Sequence, residues 1–193
     1  MDNLTPDKYL SRHEMESMKQ AVHEKAAADR EDGRLTWPRI ELMINLGFGS
    51  GLRCSEMIYL KVGDLDLGHE PTIYVRDGKG GKNRDVYIHK TLKNRLRKWI
   101  KTHGLSDGDY VLTRKYSRMA LHKQFKKALE AAGLPDRYSL HSMRHTYGTL
   151  LYDDQRNLRF VQQMMGHSKS QITEMYVGVT KESGFKQVNS AFG

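Results

Sequence analysis

One cysteine, Cys54, is all that the 193 residues contain, so no disulfide can close within the chain and no cysteine-built zinc site can form. That usage suits a reducing compartment. No apolar run approaches the ~18 residues of a membrane helix. The opening MDNLTPDKYLSRHE carries no apolar core of the kind a secretory signal needs, so a cytoplasmic protein is expected. No internal repeat, low-complexity tract or Pro/Gly-rich linker interrupts the chain. A single domain over 1–193 is therefore expected, and a chain of this length buries about 70% of its unfolded surface without covalent staples.

Charge is abundant. Lys and Arg number 32 against 23 Asp and Glu, a formal net charge of +9. With a pI of about 9.6 this points to a polyanionic partner, double-stranded DNA among them, although a basic composition alone defines no site.

Helical signals dominate the patterning. Ser11-Arg12-His13-Glu14 is a capping box, with Leu10 and Met15 spaced for a hydrophobic staple, and Met15, Met18 and Val22 continue an apolar stripe towards Gly33. Thr36 is expected to cap a second helix with Pro38 in its first turn and Trp37, Ile40, Met43, Ile44 and Phe48 on its apolar face. Thr72–Arg76 and Arg84–Ile88 read as strands around a Gly-rich hairpin tip, and a shorter strand near Asp64 to Leu67 completes a small sheet. Helical spacing returns at Leu92, Leu96, Trp99 and Ile100, and at Leu121, Phe125, Ala128 and Leu129, stopped by Gly133 and Pro135. Met143, Tyr147, Leu150 and Leu151 form a further face. Asn157 caps a helix ending at Gly166, and Ile172, Met175, Tyr176 and Val179 mark a last short helix begun by Ser168 or Ser170. The expected fold class is mainly α with a small three-stranded antiparallel β-sheet inserted after the third helix.

Four segments carry chemistry: Gly51-Leu52-Arg53-Cys54-Ser55-Glu56, the hairpin tip with Lys79, His141-Ser142-Met143-Arg144, and Gly166-His167 with Tyr176 beyond it. Phosphoryl transfer calls for such a set. Charge gathers on the non-bridging oxygens in the transition state, and preorganised arginines meet it bidentately without deprotonating. A tyrosine nucleophile, with a reference pKa of about 10, needs a base or a cationic field, and the leaving oxygen needs a proton from a lysine or histidine.

GLRCSE, GKGGK, HSMRHTYGT, MMGH and Tyr176, in this order and spacing, resemble the signature of the tyrosine recombinase family of phage integrases and Xer-like enzymes, over roughly residues 9–182. The resemblance implies the DNA breaking-rejoining catalytic fold and a site-specific recombinase that needs neither metal nor nucleotide cofactor. It implies that Arg53 and Arg144 clamp the scissile phosphate, His141 assists proton transfer, His167 hydrogen-bonds the phosphate and Lys79 is the general acid. Tyr176 would attack to leave a 3′-phosphotyrosine and a free 5′-hydroxyl, with Glu56 orienting the site. Lys82 and Arg84 are expected as DNA-backbone contacts. Two departures stand out. Met164-Met165-Gly166-His167 replaces the family's apolar-Leu-Gly-His. The N-terminal core-binding domain of full-length members is also missing, so the sequence is either a trimmed piece or a natural short form. The partners implied are DNA and further protomers in a tetrameric synapse. The tail 184–193, with Phe185, Val188 and Phe192 on one stripe, is expected to dock either on a neighbouring protomer or on its own core.

Plainer readings stand beside these. Tyr176, four residues after Ile172, fits a core position; Arg53 fits an ion pair with Glu56 one turn on. His141 and His145 share the spacing of a zinc helix but lack its glutamate, and Gly78–Lys82 lacks the hydroxyl and spacing of a P-loop. Cys54 reads as a small packed residue. Lys93, Arg95, Arg97, Lys98 and Lys101 read as a solvated helix face. The rival functions are a non-catalytic DNA-binding regulator on the same fold and a type IB topoisomerase-like relaxing enzyme.

Overall fold

Helix α1 (Arg12–Glu31) begins at the expected capping box. Ser11 Oγ accepts the Glu14 N–H at 3.2 Å, and the Glu14 carboxylate accepts the Ser11 N–H at 2.8 Å, a cap contributing about 1 kcal/mol. Leu10 and Met15 are both buried beside it. The protein is described by a computed structural model over residues 8–76, 83–155 and 157–166. The expected last helix and the tail 184–193 lie outside the described residues.

Helix α2 (Thr36–Ser50) starts differently from expectation. Leu35, not Thr36, holds the cap position and supplies no side-chain acceptor. The acceptor comes from α1: the buried Asp29 carboxylate takes the Trp37 N–H at 2.9 Å. That bond, foremost, holds Asp29 below its ordinary pKa. A long-range carboxylate thus satisfies an orphan helix donor that sequence-local capping rules assign to a neighbour. Ile40, Leu42, Met43, Ile44, Leu46 and Phe48 are all buried, so α2 is central, packed chiefly on α1 and α6.

A short α3 (Cys54–Tyr59) and one 3₁₀ turn (Val62–Asp64) lead into the sheet. Strands β1 (Leu65–Asp66), β2 (Thr72–Val75) and β3 (Arg84–Tyr87) pair antiparallel in chain order. Each is shorter than expected. Asp64 leaves β1 because its carboxylate accepts the Lys61 N–H at 3.0 Å and closes the 3₁₀ turn, and Arg76 turns its guanidinium onto the same carboxylate. Ile73, Val75 and Val86 face the core while Tyr74, Asp85 and Tyr87 face out.

Helices α4 (Lys90–His103), α5 (Arg118–Ala131), α6 (Leu140–Gln155) and α7 (Leu158–Met165) complete the described architecture. It is mainly α with the three-stranded sheet inserted after the third helix. The basic face of α4 is only partly solvated: Arg95 bonds Glu41 at 3.0 Å, Lys93 the Gly68 carbonyl at 2.7 Å and Arg97 the Leu67 carbonyl at 2.6 Å. Asn157 caps α7 by accepting the Phe160 N–H at 3.0 Å. The expected α6 face divides. Met143 joins the main core, whereas Tyr147 and Leu151 pack with Val161 and Met165 of α7 in a smaller cluster. No helix among the described residues is long and apolar enough to cross a membrane.

Candidate active site

The site is built where α2 stops. Gly51 takes the left-handed conformation (φ +60°), and a Cβ there would lie 2.3 Å from a ring carbon of Tyr147, so both backbone and space require glycine. The chain then turns through buried Leu52 and delivers Arg53 to the cap position of α3. Glu56, three residues on, accepts the Arg53 N–H at 2.7 Å through one oxygen and Arg53 Nη1 at 2.8 Å through the other. The one-turn ion pair is therefore present, and it orients Arg53 within the site.

A second guanidinium shares that carboxylate. Arg84, first residue of β3, donates Nη1 and Nη2 to the two Glu56 oxygens at 2.9 Å each. Burial pushes the Glu56 carboxyl up, but the bonds and charge of Arg84, then of Arg53, hold it at about 2. Arg84 was expected on a DNA backbone. Its side chain is instead 9% exposed, with its fork turned inward.

The arginines meet at the end of α7. Consecutive carbonyls there are orphaned by the helix terminus and lie at its negative end. Met164 O accepts Arg84 Nε at 3.1 Å, Met165 O accepts Arg144 Nη2, and Gly166 O accepts Arg53 Nη2 at 3.1 Å. Arg144, 3% exposed on α6, also donates Nη1 to Gly51 O at 2.6 Å, tying α6 to the turn that carries Arg53. Arg53 and Arg144, far apart in sequence, are thus fixed side by side.

His141 stands one turn before Arg144 and reaches the surface. One flank of its ring packs edge-to-face on His145, centroids 4.4 Å apart. Partial burial of the ring, then the charges of Arg144 and Arg53, lower its pKa, which favours the neutral imidazole that can accept a proton. His145 is pushed further, to about 4, chiefly by burial. No group of three potential metal ligands occurs among the described residues, so this histidine pair has no third ligand there.

Arg53, His141 and Arg144 line one open groove of about 690 Å³. Its other wall carries Arg118, Met119 and His122 from the first turns of α5. These the sequence reading missed. Their signal was weak: a polar side opposite Leu121 and Phe125, with Met119 82% exposed. Cys54, half-buried, packs against the main core as expected and also lines the groove. Of the residues singled out from sequence, the structure brings together Arg53, Glu56, Arg84, His141 and Arg144. Lys79, Lys82, His167 and Tyr176 lie outside the described residues. A separate cavity of about 500 Å³ lies between α1, α2 and α4, where His23, Arg30 and Arg95 already bond Glu41.

The model of the phage integrase family matches residues 8–183. Tyrosine recombinase XerA of Thermococcus kodakarensis is 32% identical over 154 residues, covering 76% of this chain and 53% of that protein. The chain spans about half the length of the curated relatives it matches. Among solved structures, a XerA recombinase superposes with a TM-score of 0.76 at 22% identity, covering 96% of this chain and 65% of that one. XerH bound to difH substrate in a pre-cleavage complex superposes with a TM-score of 0.71 at 25% identity, covering 91% and 52%.

Proposed function

The chain belongs to the phage integrase family, and on that premise we propose that it cuts and rejoins DNA strands through a covalent bond between Tyr176 and a DNA phosphate. The observation that carries the reading is the convergence of Arg53 and Arg144 on adjacent carbonyls at the rim of a groove that His141 also lines. Two fixed guanidiniums suit the charge that develops on a phosphate in flight, and their rigidity removes the cost of assembling them at the moment of reaction.

In this reading Tyr176 Oη attacks the scissile phosphorus, a P–O bond to tyrosine forms and the P–O5′ bond breaks. His141 takes the tyrosine proton and Lys79 gives one to the departing 5′-oxygen. His167 donates to a non-bridging oxygen. The 5′-hydroxyl of an incoming strand then reverses the step. The phosphoester energy is conserved, so the balance requires no nucleotide. Residues 1–193 act as one catalytic domain on double-stranded DNA. Exchange between two duplexes breaks four strands, so four protomers are required, each supplying one tyrosine. The XerH complex on its difH substrate supports DNA as the partner.

The test is covalent trapping on a nicked suicide substrate. Tyr176→Phe keeps DNA binding and forms no adduct. An adduct that persists in the Phe variant removes the assignment. Relaxation of supercoiled DNA without recombination between two sites would favour a topoisomerase-like activity instead.

A further inference from the structure

The groove and its clamp leave one buried charged group without a role. Arg84 is not at the surface, does not line the groove, and yet makes three hydrogen bonds at the centre of the site. Its Nη1 and Nη2 take both oxygens of Glu56, and its Nε takes Met164 O. Its stem also lies where a side chain of residue 166 would be: a Cβ on Gly166 would meet Arg84 Cδ and Nε at 2.9 Å. Gly166 is left-handed (φ +63°), so the turn that ends α7 and the close approach of Arg84 are one feature. In sequence this turn immediately precedes His167, and the segment before Arg84 holds Lys79.

From this arrangement we propose that Arg84 is a positioning residue for strand cleavage, which locks the C-terminal end of α7 to the Glu56–Arg53 pair and thereby sets where the chain leaves towards His167 and Tyr176. The inference rests on the proposed recombinase reading and replaces the expectation that Arg84 touches DNA. The physical case is one of donors. Glu56 alone would hold Arg53 but has no link to α7. Arg53 and Arg144 reach Met165 O and Gly166 O with the same guanidiniums that a bound phosphate must engage, so those contacts are exposed to change when DNA arrives. Arg84 does not line the groove, so its Nε bond to Met164 O keeps α7 in place while Arg53 and Arg144 engage substrate. A lysine at this position retains the charge opposite Glu56 but has neither the fork nor a donor at Nε.

The 193-residue chain and its Arg84→Lys and Arg84→Gln variants are compared on a nicked suicide substrate at saturating DNA. Arg84→Lys is expected to keep its urea midpoint, DNA affinity and salt slope while its single-turnover cleavage rate falls by up to roughly 100-fold, the effect of a small misplacement of reacting groups. A bridging 5′-sulfur, whose departure needs no proton, does not restore the rate, because the loss lies on the nucleophile's side. Exchange of the Gly166 amide, which bonds Gln162 O and Gln163 O, quickens about tenfold while amides of β2 and β3 are unchanged. Cleavage by Arg84→Lys at the wild-type rate overturns the proposal, and so does rescue by sulfur, which would place the effect on the general acid. A salt slope reduced by about one in Arg84→Gln would return the residue to DNA contact. Wild-type chain that forms no adduct would sink the recombinase reading instead. The Gly166 exchange then still decides whether Arg84 holds α7.

Discussion

At the residue scale the site is governed by what burial does to charge. Glu56 is a buried carboxylate that stays ionised because Arg84 and Arg53 together outweigh its desolvation, with a pKa of about 2. A carboxyl depressed from 4.5 stabilises the fold above its unfolded pKa, and that stability is lost as pH falls towards 2. The shift corresponds to about 3 kcal/mol. His145 titrates earlier. Its folded pKa of about 4 lies below the ordinary 6.5, so the unfolded chain takes up a proton first and stability declines between those two values. Urea unfolding followed against pH should show both windows. Glu56→Gln should shrink the lower one, to which Asp29 and Glu41 also contribute, and His145→Gln the upper, to which His89 and His141 also contribute; an unchanged profile in either variant refutes the corresponding assignment. Glu56→Ala is harsher, leaving Arg84 buried without its carboxylate, and should cost about 3–5 kcal/mol in the same measurement.

At the element scale the sequence was most legible where the deciding contacts are local. The α1 capping box, the Asn157 cap, the stop at Gly166 and the pairing of β2 with β3 all depend on nearby residues, and all are seen in the structure. The start of α2 and the role of Arg84 depend on partners distant in the chain, Asp29 and Glu56 respectively, which no periodicity encodes. The Gly51 turn was legible as a motif but not as a constraint, since the ring that forbids a side chain there belongs to α6. Gly51→Ala should therefore cost about 1–3 kcal/mol from left-handed backbone alone. It should also slow cleavage, because Gly51 O anchors Arg144 and the turn delivers Arg53. Thermal unfolding and single-turnover cleavage measure the two effects, and normal cleavage by a destabilised variant would free the turn from any catalytic duty. The segment between β2 and β3 offers a cleaner division. Lys79→Ala should slow cleavage by roughly 10²–10⁴ and be rescued by the bridging-sulfur substrate, as a general acid requires. Lys82→Ala should weaken binding modestly without rescue. Rescue of Lys82→Ala instead would move the acid by three residues.

At the scale of the whole molecule, a net charge of +9 overstates what is free to meet a polyanion. Arg30 and Arg95 bond Glu41, Arg34 bonds Asp29, Arg84 bonds Glu56, and Lys93 and Arg97 hold backbone carbonyls before β2. These cations are engaged within the fold: Arg84 in the site itself, Arg30, Arg34 and Arg95 on carboxylates of α1 and α2, and Lys93 and Arg97 between α4 and the segment before β2. The groove side presents Arg53 with Arg118 and His122 opposite. DNA binding releases counterions only for phosphates that a cation reaches, and log affinity falls with log salt at a slope of about −0.9 per contact. The slope should therefore be shallow for so basic a chain, and it should respond to position and not to charge count. Arg118→Ala should reduce its magnitude by about 0.9, one phosphate's worth. Arg95→Ala removes the same charge but should leave the slope alone, costing instead about 1 kcal/mol of stability through Glu41, since its guanidinium is partly exposed. Fluorescence anisotropy on a random duplex over a range of salt, beside urea unfolding of the same variants, separates the two. Equal changes of slope in both variants would mean that binding follows overall charge and that the groove is not where the duplex lies.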